Sequence, residues 1–238
     1  MKILLLADIH ANWVALSAIQ ESFDACLFLG DLVEYGADPI PCIEWVRTKV
    51  HAAVRGNHDH ATAQRVITNL GGGCRRLAAA TRAHHLQVLE PTHLKFLARL
   101  PVTRTVELDG RTFYLVHATP RDPMDEYLGH DPAGWTARLA GIEADFICVG
   151  HTHLPLDLQI GGRRVINPGS VGQPRDGDCR AAYVVIENGE VHFRRQAYDV
   201  EAAIDRLAAI GLDAESLDVA AAMLRTGGQP PERAAAFG

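Results

Sequence analysis

Along the chain, apolar runs repeatedly stop at a polar cluster. Residues 2–7 (KILLLA) form an uninterrupted apolar stretch, with no alternation, that ends at Asp8, as expected of a strand buried on both faces and emerging at its C-terminal edge. Asn12 then precedes Trp13, Leu16, Ala18 and Ile19, one face of a capped helix. The unit repeats. A strand at 26–29 ends in Gly30-Asp31, a helix with proline at its start covers 41–50, and a strand at 52–54 ends in Arg55-Gly56-Asn57-His58. Helices follow at 61–67, at 81–90 and at 92–100, with a turn at Gly71-Gly72-Gly73. The second half reads as strands: 102–108 and 112–116 around Asp109-Gly110, then 146–149, and two hairpins. These are 156–160 with 163–166, and 181–187 with 190–197 joined by Asn188-Gly189, a strong type I′ turn signal. Helices return at 200–209 and 214–224. Helix-rich alternation flanking a strand-rich half predicts an α/β fold, a four-layer α/β/β/α sandwich of two mixed sheets with flanking helices.

Length and composition narrow the picture. A chain of 238 residues, 47% apolar and 22% charged, buries enough surface to fold without disulfides, and no linker-like stretch interrupts it before its last dozen residues. One domain over residues 1–228 with a polar tail at 229–238 is expected. No apolar run approaches the roughly 18 residues of a membrane span, and Met1-Lys2 leads straight into a strand, so the expected location is the cytoplasm. Five cysteines without a Cys-x-x-Cys pair suggest neither a disulfide framework nor a thiolate zinc site. The net charge of -6 argues against an extended nucleic-acid surface. The Ala/Leu pattern of 202–224 suits core or homo-oligomer packing.

Chemistry gathers at the strand ends: Asp8-x-His10, Gly30-Asp31, Gly56-Asn57-His58-Asp59, His117 and Gly150-His151-Thr152-His153. Imidazole, carboxylate and amide oxygen without thiolate are donors for manganese, iron, zinc, nickel or magnesium. In extended backbone residues two apart share a side, so Asp8 with His10, and His151 with His153, can converge on one point. Glycine before Asp31, Asn57 and His151 permits the close approach this requires. Five such clusters exceed the needs of one mononuclear site.

These motifs, D-x-H, G-D, G-N-H-D, a lone H and G-H-x-H in that order, resemble the calcineurin-like metallophosphoesterase superfamily over roughly residues 3–172. Asn167-Pro168-Gly169-Ser170-Val171-Gly172 is similar to a segment of its small bacterial and archaeal phosphodiesterase branch. Gln173-Pro174-Arg175 and the Arg225–Gly228 stretch resemble, more weakly, proteins associated with diadenosine polyphosphate hydrolysis. Ala11 and Ala118 stand where the family commonly has glycine. The resemblance implies two divalent cations, manganese foremost, at the strand ends: one held by Asp8, His10, Asp31 and His153, the other by Asp31, Asn57, His117 and His151, with Asp31 bridging. It further implies attack by a metal-bridging hydroxide. His58 would stabilise charge or protonate the leaving alkoxide, with Asp59 fixing its orientation.

Asn167 and Ser170 belong to a segment with two readings, a tight turn or a backbone nest for phosphate. With Arg175 and Arg180 they are the candidate substrate-binding residues, and segments 122–135 and 172–180 shape the cleft. The expected function is hydrolysis of a small phosphodiester or a dinucleoside polyphosphate. A phosphomonoesterase or protein phosphatase with the same centre, or a metal-binding scaffold without catalysis, are the alternatives.

Overall fold

The computed structural model describes residues 1–66 and 72–228. In chain order the elements are β1 (Lys2–Leu6), α1 (Trp13–Ala18), β2 (Ala25–Phe28), α2 (Pro39–Lys49), β3 (Ala52–Ala53), α3 (Asn57–Gln64), α4 (Gly72–Val88), α5 (Pro91–Arg99), β4 (Thr103–Leu108) and β5 (Arg111–Val116). The second half adds α6 (Pro132–Arg138), β6 (Phe146–Cys148), β7 (Leu156–Ile160), β8 (Arg163–Asn167), β9 (Ala181–Glu187), β10 (Glu190–Gln196), α7 (Val200–Ala209) and α8 (Ala214–Thr226). The tail expected at 229–238 and the ends of two expected elements, Ile67 and Gly71, lie outside the described residues. Gly72 and Gly73 open α4 where a turn was expected.

The expected four layers are present. One sheet has the order β10-β9-β1-β2-β3 and the other β4-β5-β6-β8-β7. Each is mixed: β1, β2 and β3 run parallel while β9 pairs antiparallel with β1, and β5, β6 and β8 run parallel between antiparallel β4 and β7. Alternate residues of β1 explain why its run is apolar throughout. Ile3, Leu5 and Ala7 face the second sheet, meeting Phe113, Leu115, Phe146 and Ile166, whereas Leu4 and Leu6 pack on α1, α2 and α5. Phe113 and Phe146 are register partners with stacked rings 4.8 Å apart, a pair worth about 0.5–1.5 kcal/mol beyond its buried area.

Outside the second sheet lies α6, in a segment expected to be loop; its Trp135 packs on Val116, Ile147 and Val165. Helices α4, α7 and α8 form a third apolar cluster around Leu77, Ile204, Leu207 and Leu224, reaching Tyr35. That places the Ala/Leu pattern of 202–224 in the core. None of the described helices is long and apolar enough to cross a membrane.

Because β1, β2 and β3 are parallel, as are β5 and β6, their C-terminal ends lie on one edge of the sandwich. Main-chain bonds weld the two sheets there. After β8 the chain crosses over so that Val171 and Gly172 donate to the Ala7 and Asp8 carbonyls at 3.0 and 2.9 Å, while Gly150 N–H, donating to the His117 carbonyl at 2.8 Å, ties the ends of β6 and β5 within the second sheet.

Candidate metal centre

The loops at this edge hold their ligands by left-handed backbone instead of by the pleat. Asp8, His10, Asp31, His151 and His153 have φ between 49° and 66°, a region that costs of order 1–3 kcal/mol per non-glycine residue and persists only where the surroundings enforce it. The expectation that Asp8 with His10, and His151 with His153, converge from extended segments is therefore corrected. Convergence comes from tight turns braced on one another, as when Asp8, His10 and Ala11 donate to the carbonyls of Gly30, Asp31 and Leu32 at 3.0, 3.0 and 2.8 Å. Gly56 is required by close approach: a Cβ there would overlap Asp31 Oδ1.

Asn57 and His58 do not lie in a loop; they open α3, in its first turn. Asp59, three residues after Gly56, folds back and accepts from the amides of Gly56, Asp31 and Leu32 at 3.0, 2.9 and 2.8 Å. It staples the turns after β2 and β3 together. Its expected role beside His58 is corrected: consecutive residues on a helix do not face each other. The partner of His58 is Glu34, whose Oε2 lies 2.6 Å from Nδ1, while Oε1 accepts from Thr62 at 2.9 Å and from Arg82 at 2.5 Å. The sequence reading passed over Glu34, and His85 supports its turn by accepting from the Glu34 amide at 3.2 Å.

Two groups of donors emerge. Ligand atoms of Asp8, His10, Asp31 and His153 lie within 4.8 Å of one another, and so do those of Asp31, His117 and His151. Asp31 belongs to both. Asn57 Oδ1 sits 3.2 Å from His117 Nε2, and Asp31 Oδ2 lies 3.2 Å from that nitrogen and 3.8 Å from His10 Nε2.

The donor set fits divalent cations by several signs. His10, His117 and His153 each bond a main-chain carbonyl through Nδ1: Val33 at 3.0 Å, Leu29 at 2.8 Å and Gln173 at 2.6 Å. A carbonyl only accepts, so Nδ1 carries the proton and the Nε2 lone pairs turn inward. As a result His10 Nε2 and His153 Nε2 face each other at 3.1 Å, a repulsive meeting unless a cation lies beside both. Asp8 Oδ2 and His151 Nε2, both buried, have no protein partner.

Burial lowers the pKa of His10 and His153 well below the usual imidazole range, and that of His151 to about 3, with His117 adding to the last. All three rings are therefore neutral and able to ligate. Burial opposes charge on His117 too, but Asp31 outweighs it and lifts the ring to about 9; a proton and a metal ion compete for that nitrogen. Burial would raise Asp31, yet His117, His58 and His10 hold it well below the carboxylate range. Asp8 goes the other way, raised by burial to about 8, with Asp31 adding to the rise. A cation held by the first donor group would offset the charge of both carboxylates.

Metal removal has a measurable consequence here. At a free ion concentration 100 times Kd, binding to the folded state adds about 2.7 kcal/mol. For a chain of this size each kcal/mol moves the unfolding midpoint by about 2–4 °C. Calorimetry before and after chelation is expected to show a drop of about 5–10 °C, and an unchanged midpoint would exclude the site as a metal centre.

The expected substrate residues divide. Asn167 is used up within the turn, donating to Gly150 O at 2.6 Å and Thr152 Oγ1 at 3.1 Å and accepting from Gly169 N at 2.9 Å. Ser170 donates to Asp8 O and accepts from Gln173 N, both at 2.8 Å. Arg180 pairs with Asp178 at 2.6 Å on the exposed surface. In this structure Asn167 and Ser170 brace the turns and Arg180 makes a surface ion pair.

Arg175 is brought to the site, its charge acting on Asp8, His10 and His153. Two tyrosines unnoticed in the sequence join it. The Tyr35 ring lies 4.7 Å from His10 and 4.8 Å from His58, and the Tyr127 ring 4.1 Å from His151. Glu126, held by Thr119, Arg121 and Arg138, anchors the turn that presents Tyr127.

Comparison with known proteins places the chain in a family and a fold. The model of the calcineurin-like phosphoesterase superfamily domain matches residues 1–189. A metallophosphoesterase from Sphaerobacter thermophilus superposes with a TM-score of 0.80 at 32% identity, covering 95% of this chain and 99% of that one. A hypothetical protein from Pyrococcus horikoshii shares the fold with a TM-score of 0.81 at 20% identity, covering 97% and 99%. An uncharacterized protein of Methanocaldococcus jannaschii is 29% identical over 228 residues, 86% of this chain and 91% of its own length.

Proposed function

Since the chain belongs to the calcineurin-like phosphoesterase superfamily, we propose that this metal-dependent phosphoester hydrolase acts on phosphoric diesters or on the anhydrides of dinucleoside polyphosphates, using two divalent cations. The observation that carries the reading is the sharing of buried Asp31 by two donor groups. Asp8, His10, Asp31 and His153 would hold one ion, and Asp31, Asn57, His117 and His151 the other. Manganese is the first candidate by the resemblance of the motifs, and the nitrogen-and-oxygen set equally accepts iron, zinc, nickel or magnesium. When bound, such a pair supplies an activated water near neutral pH and offsets charge on the phosphoryl oxygens.

The chain's own groups do the remaining work. Asn57 binds through Oδ1 and keeps its amide hydrogens to donate to a phosphoryl oxygen. His58 Nε2 lies 3.9 Å from Asp31 Oδ2, on the inner side of the site, while Glu34 fixes the opposite nitrogen. Asp31 and Glu34 raise the His58 pKa against the effect of burial, so the ring retains a proton to give to the departing oxygen. Asp59 holds the turns that set Asp31 and Asn57 in register.

The test is a panel of para-nitrophenyl phosphate, its bis-ester and diadenosine tetraphosphate, run with manganese in oxygen-18 water. Hydrolysis of the bis-ester or the anhydride ahead of the monoester, with one labelled oxygen on the released phosphate, is the expected result. Preference for the monoester would assign the centre to a phosphomonoesterase instead, and no turnover with any of several metals would leave a binding scaffold.

A further inference from the structure

Arg175 is set into the wall of the site by its backbone. Its N–H points to the His153 carbonyl at 3.4 Å, and Gly228, just beyond α8, lies so close that a Cβ there would overlap Arg175 Cα. Its guanidinium Nη2 donates to Gln173 Oε1 at 3.1 Å. Nε is closed off from solvent and has no partner. Among the described residues no carboxylate pairs with Arg175, whereas Arg82, Arg138, Arg206 and Arg225 each reach one. An unneutralised guanidinium in such a place is costly, because it cannot shed its proton.

Tyr35 repeats the pattern. It is 3% exposed, its hydroxyl has no partner, and its ring lies against both His10 and His58. Arg175 and Tyr35 thus each carry a shielded donor without an acceptor, the one next to His153 in space and the other beside His10 and His58. What is missing is a group rich in acceptor oxygens and negative charge.

We propose that Arg175 and Tyr35 form an anion pocket on the leaving-group flank of the metal centre, which takes a second phosphoryl group joined through oxygen to the one attacked and so selects phosphoanhydrides. This rests on the reading of the site as a phosphoric ester or anhydride hydrolase. An alkoxide leaving group presents one acceptor to that flank; a phosphoryl group presents three, which suit the guanidinium fork and the phenol together. In the reaction the oxygen of water joins the attacked phosphorus, the bridging P–O bond breaks with its electron pair remaining on the second phosphate, which takes a proton from His58, and of the two protons of water one replaces that proton on His58 and the other passes to solvent.

The experiment compares kcat/KM for diadenosine tetraphosphate with that for bis(para-nitrophenyl) phosphate, which contains a single phosphorus. The manganese-loaded native protein, Arg175→Lys and Tyr35→Phe are assayed, each checked for metal content and unfolding midpoint. The anhydride-to-diester ratio is expected to fall at least about tenfold in Arg175→Lys, which keeps the charge but loses the fork. A smaller change overturns the proposal. Should Arg175→Lys fail to fold, Tyr35→Phe decides, with a fall of at least about threefold expected for loss of one hydrogen bond and a lesser one counting against. If the native protein cleaves neither compound, the hydrolase reading has failed. The pocket is then judged by calorimetry with imidodiphosphate and orthophosphate: tighter binding of the first that Arg175→Lys removes upholds it, and equal affinities overturn it.

Discussion

Asp31→Asn is expected to reduce kcat/KM by at least about a thousandfold, equivalent to about 4 kcal/mol of transition-state stabilisation, and to lower the metal content from two ions per chain to one or none. The substitution keeps the shape of the side chain, and its Oδ1 can still accept from the His58 amide, 3.0 Å away. It removes the charge that both donor groups share. On one flank of Asp31 stand His10 and His153, on the other His117 and His151, all with their donor nitrogens turned inward. Without the carboxylate, the second group has no anion at all: only two imidazoles and the Asn57 amide oxygen remain. Two cations held close together need such an anion between them to offset their repulsion, so occupancy should fail before the fold does. Elemental analysis, circular dichroism and the diester assay on the same preparation check this. Two ions retained together with near-native turnover would contradict a shared ligand.

Much of this centre was legible because parallel strands carry their polar residues to one edge. The uninterrupted apolar runs before Asp8 and Asp31 marked both the strands and the points where they end. Glycines 30, 56 and 150 marked where backbone had to come close. What the sequence did not disclose follows from the same geometry. Placing Asn57 at the end of a strand left Asp59 as the apparent neighbour of His58. Because α3 begins at Asn57, that neighbour turns away, and Glu34 arrives from the loop after β2 instead. Recognising that Gly56 is followed three positions later by an acid, the spacing of a helix start, would have excluded Asp59 as the orienting group.

Asn167, Ser170 and Arg180 carry polar side chains of suitable type, but local bonding already consumes them. Nothing in the sequence pattern singles out Tyr35 or Tyr127. Their importance depends on contacts with His10, His58 and His151 that are made across long stretches of chain, and periodicity carries no trace of those. The α6 turn was hidden for a related reason. Its helix is short, and only Trp135, buried against the second sheet, secures it.

The Glu34–His58 pair gives the other large expected effect. His58→Gln is expected to lower turnover of a diester with a poorly acidic leaving group by about 10²–10⁴-fold, the range for loss of a general acid. The loss should be much smaller with para-nitrophenolate, which departs without help. Glu34→Gln leaves one amide oxygen to accept from Nδ1, and turns its NH2 toward Thr62, whose hydroxyl can accept in place of donating. It deprives Arg82 and His58 of the carboxylate that pairs with both. Loss of such a supporting partner commonly costs about 10–100-fold. The same dependence on leaving group should accompany it, because the effect is transmitted through the histidine. Metal content should stay at the native value in both variants, since neither side chain belongs to the donor groups. A double variant no worse than His58→Gln alone would place the two residues on one route. Equal losses on good and poor leaving groups would instead mean that Glu34 merely supports the fold around α3, and that the proton reaches the departing oxygen by some other path.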